Sequence, residues 1–188
     1  MQFIYRPVKP FVVTQSFGEN KACVDLKTGK KVIACNGLKP PKGYKSLYLA
    51  GHKGVDMRAT HGQPVYSVAD GIVDFIDTQP KSGLDVRVVT EHEGKKYRAI
   101  YEHLLGYQKK VGDKVFIGDL IGWADNTGYS SGDHLHFQFE VWTKGSWKAI
   151  DPMPFMYPTY ALDIAPLYNK LKELMAQLAD LLADKMRK

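Results

Sequence analysis

Between residues 65 and 142 the chain alternates apolar and polar side chains with period two, and turns containing Gly or Asp interrupt that alternation at short intervals. Period two places successive side chains on opposite faces of a strand, so one face can be buried while the other meets solvent. The segment 65–77, "VYSVADGIVDFID", reads as strand, and 85–104 reads as a hairpin turning at Glu93-Gly94-Lys95. Short strands broken by Gly and Asp continue through 109–128, and "SGDHLHFQFEVW" (131–142) is the next strand. Short connections join antiparallel neighbours, so the fold class expected is mainly β, built on an antiparallel sheet.

The remainder of the chain departs from this rhythm in two places. Residues 19–50, rich in Lys and Gly and containing "KPPKG", read as a long surface insertion. Three prolines in 151–158 end the strand pattern, after which Leu167, Leu171, Leu174, Leu178 and Leu181 recur at steps of four and three residues. That spacing makes an amphipathic C-terminal α-helix, with Pro166 suited to its first turn. The organisation expected is a domain over 1–158 carrying the insertion, followed by the helix over 159–188. Docking of the leucine stripe on the β domain is its first reading. Self-association comes second, and attachment to an envelope surface through Lys185, Arg187 and Lys188 third.

At 188 residues the chain can bury one real core. Its 26 Lys and Arg against 20 Asp and Glu give a net charge of +6, which suits either a polyanionic partner or simple solubility. No basic block with interleaved aromatics marks a nucleic-acid module, so no nucleic-acid partner is expected. No leader sequence and no membrane-length apolar run is visible, so neither an export signal nor a transmembrane segment is expected. Cys23 and Cys35 are placed to close a hairpin disulfide worth roughly 3 kcal/mol, or to remain two thiols; the segment between them offers no further zinc ligands.

Chemistry concentrates in the histidines. His61 and His92 read as structural or exposed, but the other four stand in distinctive settings. "GHKGVD" separates His52 from Asp56 by four residues, with Gly51 and Gly54 opposing a helix, so the pair is expected to converge through an extended turn. "YEHL" sets His103 at the end of a strand, and "GDHLHF" puts His134 and His136 on the same face of another. A catalytic zinc takes three protein ligands and keeps a position for water, and one Asp with several His is a suitable set.

In this order and framework the residues resemble the M23 family of zinc metallopeptidases, the lysostaphin-like enzymes that cut peptide bonds in bacterial peptidoglycan. The resemblance runs from "VTQSFGE" (13–19) to "EVW" (140–142), through "GHKGVDMRATHGQPVYSVADGIV", "YEHL" and "VGDKVFIGDLIGWADNTGYSSGDHLHF". It implies one Zn2+ per chain held by His52, Asp56 and His136, with His103 and His134 as the non-ligand pair beside the catalytic water. It also implies an antiparallel β-sheet groove, peptidoglycan peptides as substrate, and action at the cell wall. A phage lysin or virion-associated hydrolase is the setting expected, with a secreted bacterial enzyme as runner-up.

Departures from the family pattern are Gln138, where a Glu is common, and Asp133 before His134, where a proline is common. Tyr44 and Tyr48 are candidates for a hydrogen-bond donor over the site and equally for packing. The alternatives are a non-catalytic, wall-binding regulator and a lipoyl-type carrier suggested by "KVGDKVFIGDLIG". The intact histidine set argues against the first, and the second leaves the histidines unexplained.

Overall fold

The computed structural model describes residues 6–18, 51–156, 170–175 and 177–178. In chain order its strands are β1 (Val13–Gln15), β2 (Val55–Arg58), β3 (Pro64–Tyr66), β4 (Gly71–Gln79), β5 (Gly83–His92), β6 (Lys95–Tyr107), β7 (Lys114–Val115), β8 (Leu120–Ala124), β9 (His134–Thr143) and β10 (Ser146–Ile150). A 3-10 turn, Met153–Phe155, follows. The strands form one branched sheet whose main path is β1-β2-β9-β6-β5-β4-β7, with β10 on β9 and with β8 joining β3 to β6. Every pairing is antiparallel, as the alternation led one to expect.

The expected strand over 65–77 is two strands, because Ser67–Asp70 turn the chain between β3 and β4. The hairpin predicted at Glu93-Gly94-Lys95 is present, with Lys95 already opening β6 and φ of 50° and 70° at Glu93 and Gly94. Positive φ at both central positions matches the right-handed twist of the flanking strands. Lys144 and Gly145, at 50° and 76°, repeat the same turn between β9 and β10.

Period two separates core from site. On β9 the odd residues Leu135, Phe137 and Phe139 are fully buried, packed with Val55 and Met57 of β2, Ala99 and Tyr101 of β6, and Val86 and Val88 of β5. Removing a side chain such as Phe137 from water contributes roughly 1.5–3 kcal/mol. The even residues His134, His136, Gln138 and Glu140 lie on the opposite face, joined there by Asp56 of β2 and Glu102 of β6. The chemistry therefore stands on the back of the hydrophobic core and draws rigidity from it.

Residues 170–175 and 177–178 are helical. Leu171, Leu174 and Leu178 are 56%, 50% and 57% exposed, so this part of the leucine stripe is not docked on the sheet. Contact with the β domain runs instead through Lys172, which pairs with Asp70 and lies 5.0 Å from the ring centre of Phe116. Among the described residues no helix is long and apolar enough to cross a membrane. Cys23, Cys35, Tyr44, Tyr48 and the insertion at 19–50 lie outside the described residues, as do most of the residues assigned to the terminal helix.

Candidate metal centre

Antiparallel register places Asp56 of β2 directly opposite His136 of β9, and Glu102 of β6 opposite His136 on its other side. Side chains in such a row share one face and stand close enough to interact. His52 joins them from the segment leading into β2. Its Nε2 lies 3.1 Å from Asp56 Oδ1 and 3.0 Å from His136 Nδ1, and His136 Nδ1 lies 2.9 Å from Asp56 Oδ1. Among the described residues these three form the cluster able to hold a metal ion.

The outward-facing imidazole nitrogens have partners of their own. His52 Nδ1–H donates to the Ser16 carbonyl at 3.0 Å, which leaves Nε2 as the lone-pair nitrogen facing Asp56. His136 Nε2 lies 4.0 Å from Glu102 Oε2, and the ring also hydrogen-bonds to the Gln138 side chain. Partners of this kind fix the tautomer and aim the opposite nitrogen. Gly54 admits the His136 ring: a Cβ there would come within 2.7 Å of His136 Nε2 and 2.5 Å of the Phe137 carbonyl oxygen. Only glycine allows that approach.

Burial would raise the Asp56 pKa, but the hydrogen bond from His136 and the close approach of both the His136 and His52 imidazoles outweigh it and hold the carboxyl well below the usual range. Burial lowers the basicity of His136, yet the Asp56 bond and the Glu102 charge lift it above the ordinary histidine value. Glu102 is pushed up by burial against the pull of His136. The centre is thus a partly buried carboxylate on which two imidazole nitrogens converge, a donor set suited to a cation.

His103 reaches this centre through a backbone irregularity. Leu104 pairs with Leu84 and Tyr101 with Val86, so Glu102 and His103 together stand against Asp85 alone. This is a β-bulge, and His103 takes φ of +62° within it. A non-glycine residue there costs on the order of 1–3 kcal/mol, a strain typical of functional positions. Strict alternation would put neighbours Glu102 and His103 on opposite faces. With the bulge, Glu102 stays beside His136 while the His103 ring lies 4.8 Å from that of His134 and 6.0 Å from that of His136, centre to centre.

His103 Nδ1–H donates to the Thr127 carbonyl at 2.7 Å, and His134 Nδ1–H to the Gly132 carbonyl at 2.8 Å. Each ring is left with Nε2 as its lone-pair nitrogen, and His134 Nε2 lies 3.6 Å from Asp56 Oδ1. Burial pulls the His103 pKa down to about 4 despite the Thr127 bond, so the ring is neutral at pH 7. A histidine with a depressed pKa contributes stability that is complete above its unfolded value of about 6.5 and is lost as pH falls towards 4. Denaturant titrations of chelator-treated protein should therefore show a steeper stability loss from pH 7 to pH 5 in wild type than in His103→Asn. Equal slopes would remove the pKa depression from the account.

All five histidine and aspartate positions expected at the site come together, with His52 and Asp56 converging across the bend at Lys53-Gly54 and His103 within β6 rather than at its end. His61 is exposed and donates from Nδ1 to Asp125 at 2.8 Å, while its backbone N–H donates to Asp133 Oδ2 at 3.2 Å. His92 stands at the end of β5, 3.5 Å from Glu93. Gln138 links His136 to Glu140, which Arg98 holds by an ion pair at 2.5 Å. Ser16, Glu102 and Thr127 are additional site residues that sequence reasoning did not find. Their roles arise from cross-strand register and backbone carbonyls, which leave no mark in residue spacing.

The family model "Peptidase family M23" matches residues 50–152. The chain is 42% identical over 126 residues to glycyl-glycine endopeptidase ALE-1 of Staphylococcus capitis, a match spanning 64% of this chain and 34% of that protein. It thus spans about a third or less of the curated relatives it matches first. Among solved structures it is similar to the catalytic domain of the antimicrobial peptidase lysostaphin from Staphylococcus simulans, with TM-score 0.57 and 31% identity over 77% of this chain and 91% of that one. It is also similar to a zinc-containing peptidase from Vibrio cholerae, with TM-score 0.55 and 29% identity over 81% of this chain and 40% of that one.

Proposed function

The chain belongs to peptidase family M23, and from that premise we propose that it is a zinc-dependent endopeptidase hydrolysing peptide bonds in bacterial peptidoglycan. His52, Asp56 and His136 hold one zinc, and the observation that carries this reading is their convergence: one donor atom from each, mutually 2.9–3.1 Å apart. Tetrahedral bonds of the usual zinc length place neighbouring donors about 3.3 Å apart, so the set accepts the ion with small adjustment. The chemistry zinc supplies at this position is Lewis acidity, which makes water acidic near neutral pH and polarises a carbonyl.

The remaining work falls to the chain's own side chains. His103 and His134, each with its Nδ1–H engaged by a backbone carbonyl, turn Nε2 to the reacting groups. Between them they accept a proton from the attacking water, return it to the leaving amine, and stabilise the oxyanion. A neutral His103 is ready to accept a proton at pH 7. Glu102 and Gln138 steady His136 from behind. Support for the substrate class comes from the relatives, of which one is named a glycyl-glycine endopeptidase and another a peptidoglycan DD-endopeptidase. The place of action that follows is the bacterial cell wall.

Purified protein incubated with isolated sacculi should release new amino groups. A chelator should abolish the release and zinc restore it. Amine release that persists after complete metal removal, or none with zinc present, would refute this function.

A further inference from the structure

The segment "DNTGYSSGD" between β8 and β9 supplies none of the proposed ligands, yet it is tied to both non-ligand histidines. Asp125 N–H donates to the His103 carbonyl at 3.0 Å, and the Asp125 carbonyl accepts the His134 N–H at 3.2 Å. Thr127 is held at three points. Its hydroxyl donates to the Leu104 carbonyl at 2.9 Å and accepts the Leu84 N–H at 3.1 Å, while its own carbonyl receives His103 Nδ1–H. Leu84 and Leu104 are the paired residues that close the bulge on which His103 rides.

Two glycines make this contact possible. A Cβ on Gly83 would stand 2.4 Å from the Thr127 carbonyl and hydroxyl oxygens, and one on Gly128 would stand 2.2 Å from the Gly83 nitrogen. Backbone meets backbone there, and the threonine is clamped from both sides. With its hydroxyl bonded to two strands the Thr127 Cα is pinned against Gly83, whose close approach leaves the carbonyl little room to turn.

We propose that Thr127 is a positioning residue for catalysis: its hydroxyl, bridging β5 and β6 at the bulge, holds its own carbonyl where that group fixes the tautomer and orientation of His103. The proposal rests on the assignment of His103 to the reaction. The hydroxyl is the element that matters, since serine can keep both hydrogen bonds and valine can keep neither.

The test compares Thr127→Val and Thr127→Ser in the full chain loaded with zinc. On a soluble peptidoglycan peptide, Thr127→Val should lose about tenfold or more in kcat, because small displacements of a catalytic group are costly. KM and zinc content should stay close to wild type, and Thr127→Ser should keep kcat within about threefold. Added to His103→Ala, Thr127→Val should cost nothing more, since the group it positions is gone. In proton NMR, the hydrogen-bonded Nδ1–H of His103 should persist in Thr127→Ser and disappear in Thr127→Val. Should the valine crowd the Gly83 contact and unfold the protein, Thr127→Ala gives the same comparison without the added methyl.

An equal loss in wild-type and His103→Ala backgrounds, loss of zinc with kcat, or an unchanged Nδ1–H signal in Thr127→Val would overturn the proposal. If wild type cleaves no such peptide, the proposed function fails instead, and the NMR comparison still decides the positioning.

Discussion

Replacing His136 by alanine should lower bound zinc from about one equivalent to near zero and leave no measurable cleavage, because a three-ligand site would be reduced to two. His136 is the hub of the centre. Its Nδ1 lies within 3.0 Å of both other donors, and its far edge meets Gln138 and Glu102. The change also removes the hydrogen bond that does most to keep the partly buried Asp56 ionised, which weakens the remaining pair as ligands. The fold should survive, since neighbours Leu135 and Phe137 point into the core on the opposite face. Far-ultraviolet circular dichroism should match wild type while elemental analysis does not. Undiminished zinc in His136→Ala would mean that the metal, if any, sits elsewhere.

Alanine at His103 or at His134 should produce the complementary result, with zinc retained and turnover lowered by about 10²–10⁴-fold. Neither ring is among the three converging donors. Both neighbour them, at 6.0 Å between the ring centres of His103 and His136 and 3.6 Å between His134 Nε2 and Asp56 Oδ1. A loss confined to kcat and kcat/KM, with metal content unchanged, is the signature of groups used in the transition state. Near-normal turnover of either variant would remove that residue from the mechanism. Loss of zinc along with activity would turn it into a ligand or its support.

Much of this architecture is legible in the amino-acid sequence. Alternation from 65 to 142 announced an antiparallel sheet, and its parity placed His134 and His136 on one face and Leu135 and Phe137 on the other. Glu93-Gly94 announced its hairpin because glycine readily supplies the positive φ that so tight a connection between strands needs. The bulge at His103 was hidden, since an extra residue in one strand depends on what the partner strand offers and not on local spacing. Glu102 is hidden for the same reason: its proximity to His136 is a matter of register between β6 and β9. Gly51 and Gly54 read as helix breakers, and the bend at Lys53-Gly54 does bring His52 to Asp56. What spacing does not show is that Gly54 lies beside β9 and leaves room for the His136 ring. The leucine stripe carried a period but no address, and the described part of it faces solvent while Lys172 makes the contact.

Digestion of one defined, soluble peptidoglycan peptide in ¹⁸O-water, followed by mass analysis of the products, tests the central claim most directly. Hydrolysis at a zinc centre formed by His52, Asp56 and His136 predicts two fragments whose masses sum to the substrate plus one water, with the label in the new carboxylate and none in the new amine. His136→Ala should give neither fragment. An intact peptide after prolonged incubation with zinc-loaded protein, or the same two fragments from His136→Ala, would contradict the account.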